Sequence, residues 1–229
     1  MNKNTIIIHA AILEKCKERI LQYLNIIETS NLINYVDSIF ICFIGDNDIP
    51  IKEEDIIKYN HNNNIKLIKL SNKLSDYELP TLNFLYNFCI QNDKNNVLYL
   101  HTKNVGKEIN LCIEDQIEYM LYFLVTKWEK CINNLLECDT CGVDLRKEPT
   151  LHYSGNFWWS TANNIISLPN PINFRNLNRY PNPLNSIRHN QEFWVCYNRN
   201  KKHISIWDCG INVYERHLHR YPSTLYSSS

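Results

Sequence analysis

The sequence predicts a three-layer α/β/α fold around a mostly parallel β-sheet. Three observations carry this expectation. Strand-length apolar runs recur as TIIIH at 5–9, SIFICFI at 38–44, IKLIKL at 65–70, VLYLHT at 97–102 and TCGVDL at 140–145. Segments with helical spacing lie between them, giving the order strand, helix, strand, strand, helix, strand, helix, strand. Alternation of this kind builds parallel sheets whose connecting helices cover the faces. Finally, SIFICFI is apolar nearly throughout, as a strand buried on both faces is.

Taken in order, 5–9 reads as a short buried strand. Residues 11–28 place apolar side chains at 12, 13, 20, 21, 24 and 27, which predicts an amphipathic helix. The strand at 38–44 stops at Gly45-Asp46-Asn47-Asp48, and 65–70 alternates as a third strand. Residues 79–91 predict a helix with Pro80 in its first turn, where the missing N–H costs nothing. VLYLHT is a fourth strand, one long helix is expected over 109–136, and TCGVDL is a fifth strand. After residue 168 the chain carries four Pro and seven Asn in LPNPINFRNLNRYPNPLNSIRHN and loses periodicity. A loop of that length inside a compact domain is functional or disordered. EFWVCY and HISIWDCG then read as a short helix and a strand, and STLYSSS as a frayed end.

Composition narrows the function. The chain has 229 residues, 44% hydrophobic and 21% charged, with a formal net charge of zero. One domain over 1–229 is expected at that length. Zero net charge argues against nonspecific nucleic-acid binding, which needs a basic excess. No apolar run approaches the roughly 18–20 residues of a membrane span, and MNKNTIIIHAAILEKCKERI lacks the pattern of a secretion signal. The expected location is therefore intracellular. Nine cysteines, an odd number, are scattered and several sit in apolar runs such as IFICFIG, the usage of reduced, buried thiols. Cys138 and Cys141 form a C-x-x-C pair that reads as structural or as a metal or redox site. There is no internal repeat and no Gly-rich phosphate loop.

Ligands of open α/β sheets bind beyond the carboxyl ends of the strands. Three such ends carry polar clusters: 45–48, His101-Thr102-Lys103, and the loop leading to His152. LHYSGNFWWS, 151–160, concentrates His, Tyr, Phe and two Trp around a Ser-Gly-Asn turn. Gly155 there supplies a positive φ with Trp158 and Trp159 as core, or the aromatics form a sugar platform with one indole in the core and the other exposed. His101 and Lys103 are a strand end, or they face an anionic ligand. Glu192 pairs with Arg188 one helical turn away, or acts as a general base beside Phe193 and Trp194.

Five segments in this order, YELPTLNFL, NNVLYLHTKNVG, LLECDTCGVDL, HYSGNFWW and NQEFW, resemble a group of glycosyltransferases found in bacteria and in large DNA viruses. The resemblance covers about residues 76–196, and HYSGNFWW is its specific part. It implies a GT-A-like fold with a nucleotide-binding half at about 1–105 and an acceptor-side half at about 106–229. It also implies an enzyme that moves a hexosyl or deoxyhexosyl group, with inversion, from a UDP- or GDP-sugar to a carbohydrate or glycoprotein acceptor, in the cytoplasm (the host's, for a viral chain). The rival is an inactive carbohydrate-binding or assembly module of the same fold. The donor would be met by His9, Glu78, Thr81, His101, Thr102 and Lys103. The acceptor and sugar would be met by His152, Ser154, Gly155, Asn156, Trp158 and Trp159. Glu192 would be the base, with Asp144 as second choice.

Two departures from the group stand out. Asn104 replaces the Gly of His-Thr-Lys-Gly, which a left-handed turn would accommodate. His101-Thr102-Lys103 also occupies the place where many GT-A enzymes carry Asp-x-Asp for Mn²⁺ or Mg²⁺. Asp46 and Asp48 have the Asp-x-Asp spacing but follow an earlier strand, as a metal pair or as a turn cap. The implied mechanism needs no metal, Lys103 being the diphosphate counter-charge, with Mn²⁺ or Mg²⁺ as the alternative.

Overall fold

A computed structural model describes residues 3–60, 64–106, 108–174, 187–212 and 214–227, the side chains of 187–189 excepted. Among them the strands are β1 (Asn4–Ala11), β2 (Ser38–Ile44), β3 (Ile65–Ser71), β4 (Asn96–His101), β5 (Thr140–Gly142), β6 (Leu145–Arg146), β7 (His152–Tyr153), β8 (Trp158–Thr161) and β9 (His203–Ser205). Seven form one sheet in the order β3-β2-β1-β4-β8-β5-β9, while β6 and β7 pair as a separate ribbon. β1, β2, β3 and β4 are parallel, as are β5 and β9, whereas β8 runs antiparallel to both its neighbours. The helices are α1 (Cys16–Thr29), α2 (Glu53–Ile56), α3 (Leu79–Gln91), α4 (Leu111–Leu121), α5 (Trp128–Asn134), α6 (Ala162–Ile166), α7 (Pro171–Phe174) and α8 (Ile187–Glu192).

The period of two along a strand sorts the apolar side chains into two layers. Ile6, Ile8 and Ala10 of β1 face Ile20, Tyr23 and Leu24 of α1 and Ile117 and Met120 of α4. Ile7 of β1 and Tyr99 of β4 face Leu82, Leu85 and Cys89 of α3 and Ile165 of α6. Both faces are therefore covered, as the unbroken apolar runs predict. All nine cysteines are free thiols, and Cys138 and Cys141 are buried. Among the described residues no helix is long and apolar enough to cross a membrane.

Several boundaries differ from the sequence reading. β1 runs on to Ala11, paired with Ile44, so α1 begins only at Cys16. The helix expected over 109–136 is interrupted by a π-helical stretch at Tyr122–Thr126 between α4 and α5. Its start is sharp, because the Asn110 side chain accepts from the N–H groups of Cys112 and Ile113. TCGVDL pairs only through Gly142; Asp144 turns the chain with φ 48°, and Leu145 starts the separate ribbon. EFWVCY follows α8 rather than forming a helix, since α8 ends at Glu192. At the C-terminus the expected fraying is corrected: Tyr226 is 3% exposed and packs against Tyr119, Tyr122 and Phe123. Of the irregular region after 168, 171–174 form α7 and 175–186 lie outside the described residues.

β8, which no hydrophobic period announces, completes the sheet. Trp158 and Trp159 do point to opposite faces, but each is 0% exposed. Trp158 joins the α3 layer and stacks on Tyr99, with centroids 4.9 Å apart. Trp159 joins the α1 and α4 layer and donates its indole N–H to Leu124 O at 2.9 Å. The expectation that one indole faces a ligand is thus corrected, because helices cover both sides of β8.

Gly142 of β5 lies against the Tyr153 ring, where an added Cβ would sit 2.4 Å from Cδ1. Gly142→Ala is expected to lower the unfolding free energy by about 1–3 kcal/mol in a denaturant titration. An unchanged midpoint would mean that Tyr153 moves aside without loss of packing.

Candidate functional site

Parallel pairing of β1 with β4 places His9 opposite His101 at the carboxyl ends of both strands. These ends open into a cavity of about 330 Å³, whose lining includes the polar residues His9, Glu78, His101, Thr102 and Lys103 and the larger apolar or aromatic residues Leu13, Leu74 and Tyr77. The size falls in the range of small-ligand sites, about 300–1,000 Å³. Of the six expected donor residues, five therefore line one cavity, and the sixth, Thr81, holds His9 by a 2.8 Å hydrogen bond between Oγ1 and Nδ1. Thr81 itself is fully buried in the first turn of α3.

Burial is the main influence on His9 and lowers its pKa from 6.5 to about 4; Glu78 opposes this and His101 adds to it. The imidazole is neutral at physiological pH and can donate or accept a hydrogen bond without carrying charge. Glu78 precedes α3 and is 7% exposed. Its Oε2 accepts from the Tyr99 hydroxyl at 2.6 Å and from Asn156 Nδ2 at 2.7 Å. Burial, then the proximity of Glu78, raises the Tyr99 pKa well above its ordinary value and keeps that hydroxyl a donor. Asn156 Oδ1 in turn accepts the Trp158 indole N–H at 2.9 Å. The HYSGNFWW block is thereby tied to two residues that line the cavity, Glu78 and His101, whose Nε2 donates to Gly155 O at 2.9 Å.

Gly155 and Asn156 both have positive φ, 95° and 56°. A Cβ on Gly155 would lie 2.6 Å from Met120 Sδ and 3.0 Å from Gln116 Nε2, so a side chain there would have to displace Met120 as well as adopt the positive φ that favours glycine. Asn104 has φ 55° and bonds Asn110 through both ends of its amide, so the Asn that replaces glycine takes the left-handed turn it needs. Thr102 Oγ1 accepts from Ala11 N at 3.1 Å, tying the ends of β1 and β4 together.

The remaining candidates fall elsewhere. His152 is 3% exposed, donates from Nδ1 to Thr150 O at 2.8 Å and packs edge-on against Phe193. Burial, the largest influence, lowers its pKa; Glu192 acts on it in the opposite sense, which puts Glu192 near His152. Glu192 is half-buried at the end of α8, and the Arg188 side chain lies outside the described residues. Ser154 is buried, its N–H on Asp144 O.

Asp144 is corrected as a base. It is 1% exposed, and its oxygens accept from the Tyr119 hydroxyl, from Arg146 Nη2 at 2.9 Å, from Cys209 N at 2.9 Å and from the Cys209 thiol at 3.2 Å. A carboxylate so engaged has no lone pair to spare for a substrate proton.

For metal binding, one group among the described residues sets three ligand-type atoms within 4.8 Å: Asp144, Asp208 and Cys209. Arg146 bridges its two carboxylates, at 2.9 Å and 2.7 Å, and burial pushes the Cys209 thiol up to about 11. A divalent cation would have to displace that guanidinium. Asp46 and Asp48 are exposed on the turn after β2 and do not line the cavity.

Two residues at the site had no signal in the sequence reading. Gln191 is 4% exposed; its Oε1 accepts from Glu78 N at 2.7 Å and its Nε2 donates to Asp76 O at 3.4 Å. Tyr77, between those two contacts, has φ 50° and ψ −136°. The segments YELPTLNFL and NQEFW contain both residues, but only their contact in space gives them a role.

The sequence profile described as a domain of unknown function (DUF8361) matches residues 8–207. The chain belongs to the DUF8361 family. No curated protein matches the DUF8361 chain. Among solved structures, a proposed nucleotide-diphospho-sugar transferase from Desulfovibrio desulfuricans G20 is similar over 91% of this chain and 81% of its own, at 8% identity and TM-score 0.42. Rv0371C of Mycobacterium tuberculosis, in complex with manganese, is similar over 99% of this chain and 100% of its own, at 7% identity and TM-score 0.41. TarS 1–349 of S. aureus is similar over 94% of this chain and 63% of its own, at 12% identity and TM-score 0.44.

The neutral state of His9 has a measurable consequence for the DUF8361 fold. The unfolded chain takes a proton on this imidazole near pH 6.5, whereas the folded chain resists until about pH 4. The stability is therefore full above about pH 6.5 and is lost as the pH falls toward 4, by on the order of 3 kcal/mol. His152 and His203, also lowered mainly by burial, act in the same sense. In His9→Gln the unfolding free energy should fall less steeply than in wild type between about pH 7 and about pH 4.5. Parallel profiles would show that His9 does not differ between the two states.

Proposed function

We propose that this protein is a glycosyltransferase that moves a sugar from a UDP- or GDP-sugar to a carbohydrate or glycoprotein acceptor, and that 1–229 acts as one domain. The observation that carries the proposal is the convergence of His9, Glu78, His101, Thr102 and Lys103 on one cavity at the carboxyl ends of β1 and β4. These residues belong to, or register against, the segments that resemble glycosyltransferases. Lys103 brings a compact positive charge to that cavity, the counter-charge a departing diphosphate needs. Neutral His9 offers a hydrogen bond to a phosphate or ribose oxygen without adding charge.

Glu192 is the group we assign to deprotonate the acceptor hydroxyl. Gln191 fastens the end of α8 to the backbone on either side of Tyr77, so Glu192 is tied to the rim of the donor cavity. Burial, the largest influence, holds the nearby His152 toward its neutral form. One base on the acceptor side and a leaving group on the other is the arrangement for a single in-line displacement, with inversion at the anomeric carbon.

The donor set of the cavity, an ammonium and two imidazoles with Glu78 already engaged, suits a diphosphate better than it suits Mn²⁺ or Mg²⁺, which prefer oxygen ligands. A metal, if used, would supply charge neutralisation at the diphosphate. The burial of Trp158 and Trp159 removes the aromatic platform from both readings, the transferase and the rival inactive carbohydrate-binding or assembly module.

The proposal is tested by thermal denaturation with UDP and GDP, in EDTA and in Mn²⁺. A nucleotide at 100 times its Kd should add about 2.7 kcal/mol of stability, with EDTA leaving the effect in place. No response to either nucleotide at millimolar concentration would reject the donor site, and a response only with Mn²⁺ would reject the metal-free form. Once a donor is identified, Glu192→Gln should lower kcat by about 10²–10⁴ and leave nucleotide affinity unchanged. A folded variant with near wild-type kcat would remove Glu192 as the base.

A further inference from the structure

Tyr77 combines three properties that packing does not explain. Its backbone is strained: φ 50° with ψ −136° lies outside the left-handed well, in a region that non-glycine residues rarely enter. Its side chain is not held in a core, being 43% exposed. It lines the cavity, as Leu13 and Leu74 do.

The strain is also enforced from both sides. Gln191 accepts from the N–H of the residue after Tyr77 and donates to the carbonyl of the residue before it. Asp76 is further fixed by the Ser71 hydroxyl at 2.5 Å, and Tyr77 N–H is bound to Leu74 O at 3.1 Å. A chain that holds a large aromatic in a glycine conformation, at a residue lining a cavity, has fixed the direction of its Cα–Cβ bond. Strained residues of this kind persist only where surrounding structure over-determines them.

We propose that Tyr77 is the stacking surface for the base of a nucleoside diphosphate, the base lying on the Tyr77, Leu13 and Leu74 wall while the diphosphate reaches Lys103. This rests on the donor-binding reading above and assigns the nucleotide its orientation in the cavity. A π-face attracts any base, so Tyr77 supplies affinity for the nucleoside portion, and selection between bases falls to other groups.

The test separates the ring from the strain. Tyr77→Gly removes the ring and relaxes the backbone, so its melting temperature should equal or exceed that of wild type. Its affinity for UDP and GDP, measured calorimetrically, should fall about tenfold to a hundredfold, the loss typical of one base–aromatic stack. Affinity for inorganic pyrophosphate, which has no base, should not change. Tyr77→Phe keeps the π-face and should bind UDP and GDP within about threefold of wild type. If Tyr77→Gly binds the nucleotides as wild type does, or loses pyrophosphate to the same degree, the stacking role is overturned while the donor site stands. If wild type binds pyrophosphate and neither nucleotide, the donor reading and the stacking role fall together.

Discussion

The buried carboxyl group of Glu78 is the constraint on which the site depends. A carboxyl group removed from water must be met by hydrogen-bond donors. Here both donors come from distant parts of the chain, the Tyr99 hydroxyl of β4 and the Asn156 amide. Asn156 can reach Glu78 only because it takes a left-handed conformation after Gly155, and its other end fixes the Trp158 indole. Gly155 has a φ of 95°, which favours glycine, and Met120 and Gln116 crowd the place of a side chain. One acid thus joins the start of α3, the end of β4, the turn at 154–156 and the start of β8. The bond from His101 Nε2 to Gly155 O locks the same turn to the strand end that carries Lys103.

That framework gives the cavity its electrostatic character. β4 ends in His-Thr-Lys, so the charge offered to a ligand is an ammonium, flanked by an imidazole that burial keeps neutral. An acidic pair at this position would need a cation to turn its sign before a diphosphate could approach. In the proposed reaction Lys103 would do so without one, with hydrogen bonds from neutral groups adding direction rather than charge. The other cluster of acids, around Asp144, is already neutralised by Arg146 and closed by Tyr119 and Cys209. Asp144 holds the β6 ribbon and the 205–211 segment together, which accounts for its burial.

Elements whose residues contact water on one side or none were legible in the sequence, because their apolar spacing is local information. α3 matches its expected span of 79–91, and β2 its span of 38–44. The five cavity residues were legible for a related reason: each lies at or near the carboxyl end of a predicted strand or at a helix start. Features that depend on distant partners were not legible. β8 is four residues long and exists because β4 and β5 flank it, so Trp158 and Trp159 looked half-exposed when both faces are covered. Asp144 looked like a base because its donor residues are up to 65 positions away. Tyr77 carried no sign of strain, since Gln191, 113 positions from Glu78, imposes it.

The reversed direction of β8 also sets an order of assembly. β1 to β4 are complete once residue 101 has been made, yet β4 then has one edge unpaired. Its partner arrives only with residues 158–161, after α4, the π-helical stretch and α5 have been synthesised. Until then the nascent chain presents Val97, Leu98 and Tyr99 along an open edge, the kind of surface that recruits other strands and seeds aggregation. A fragment ending near residue 105 would hold every strand of the parallel core and still lack the strand that caps it.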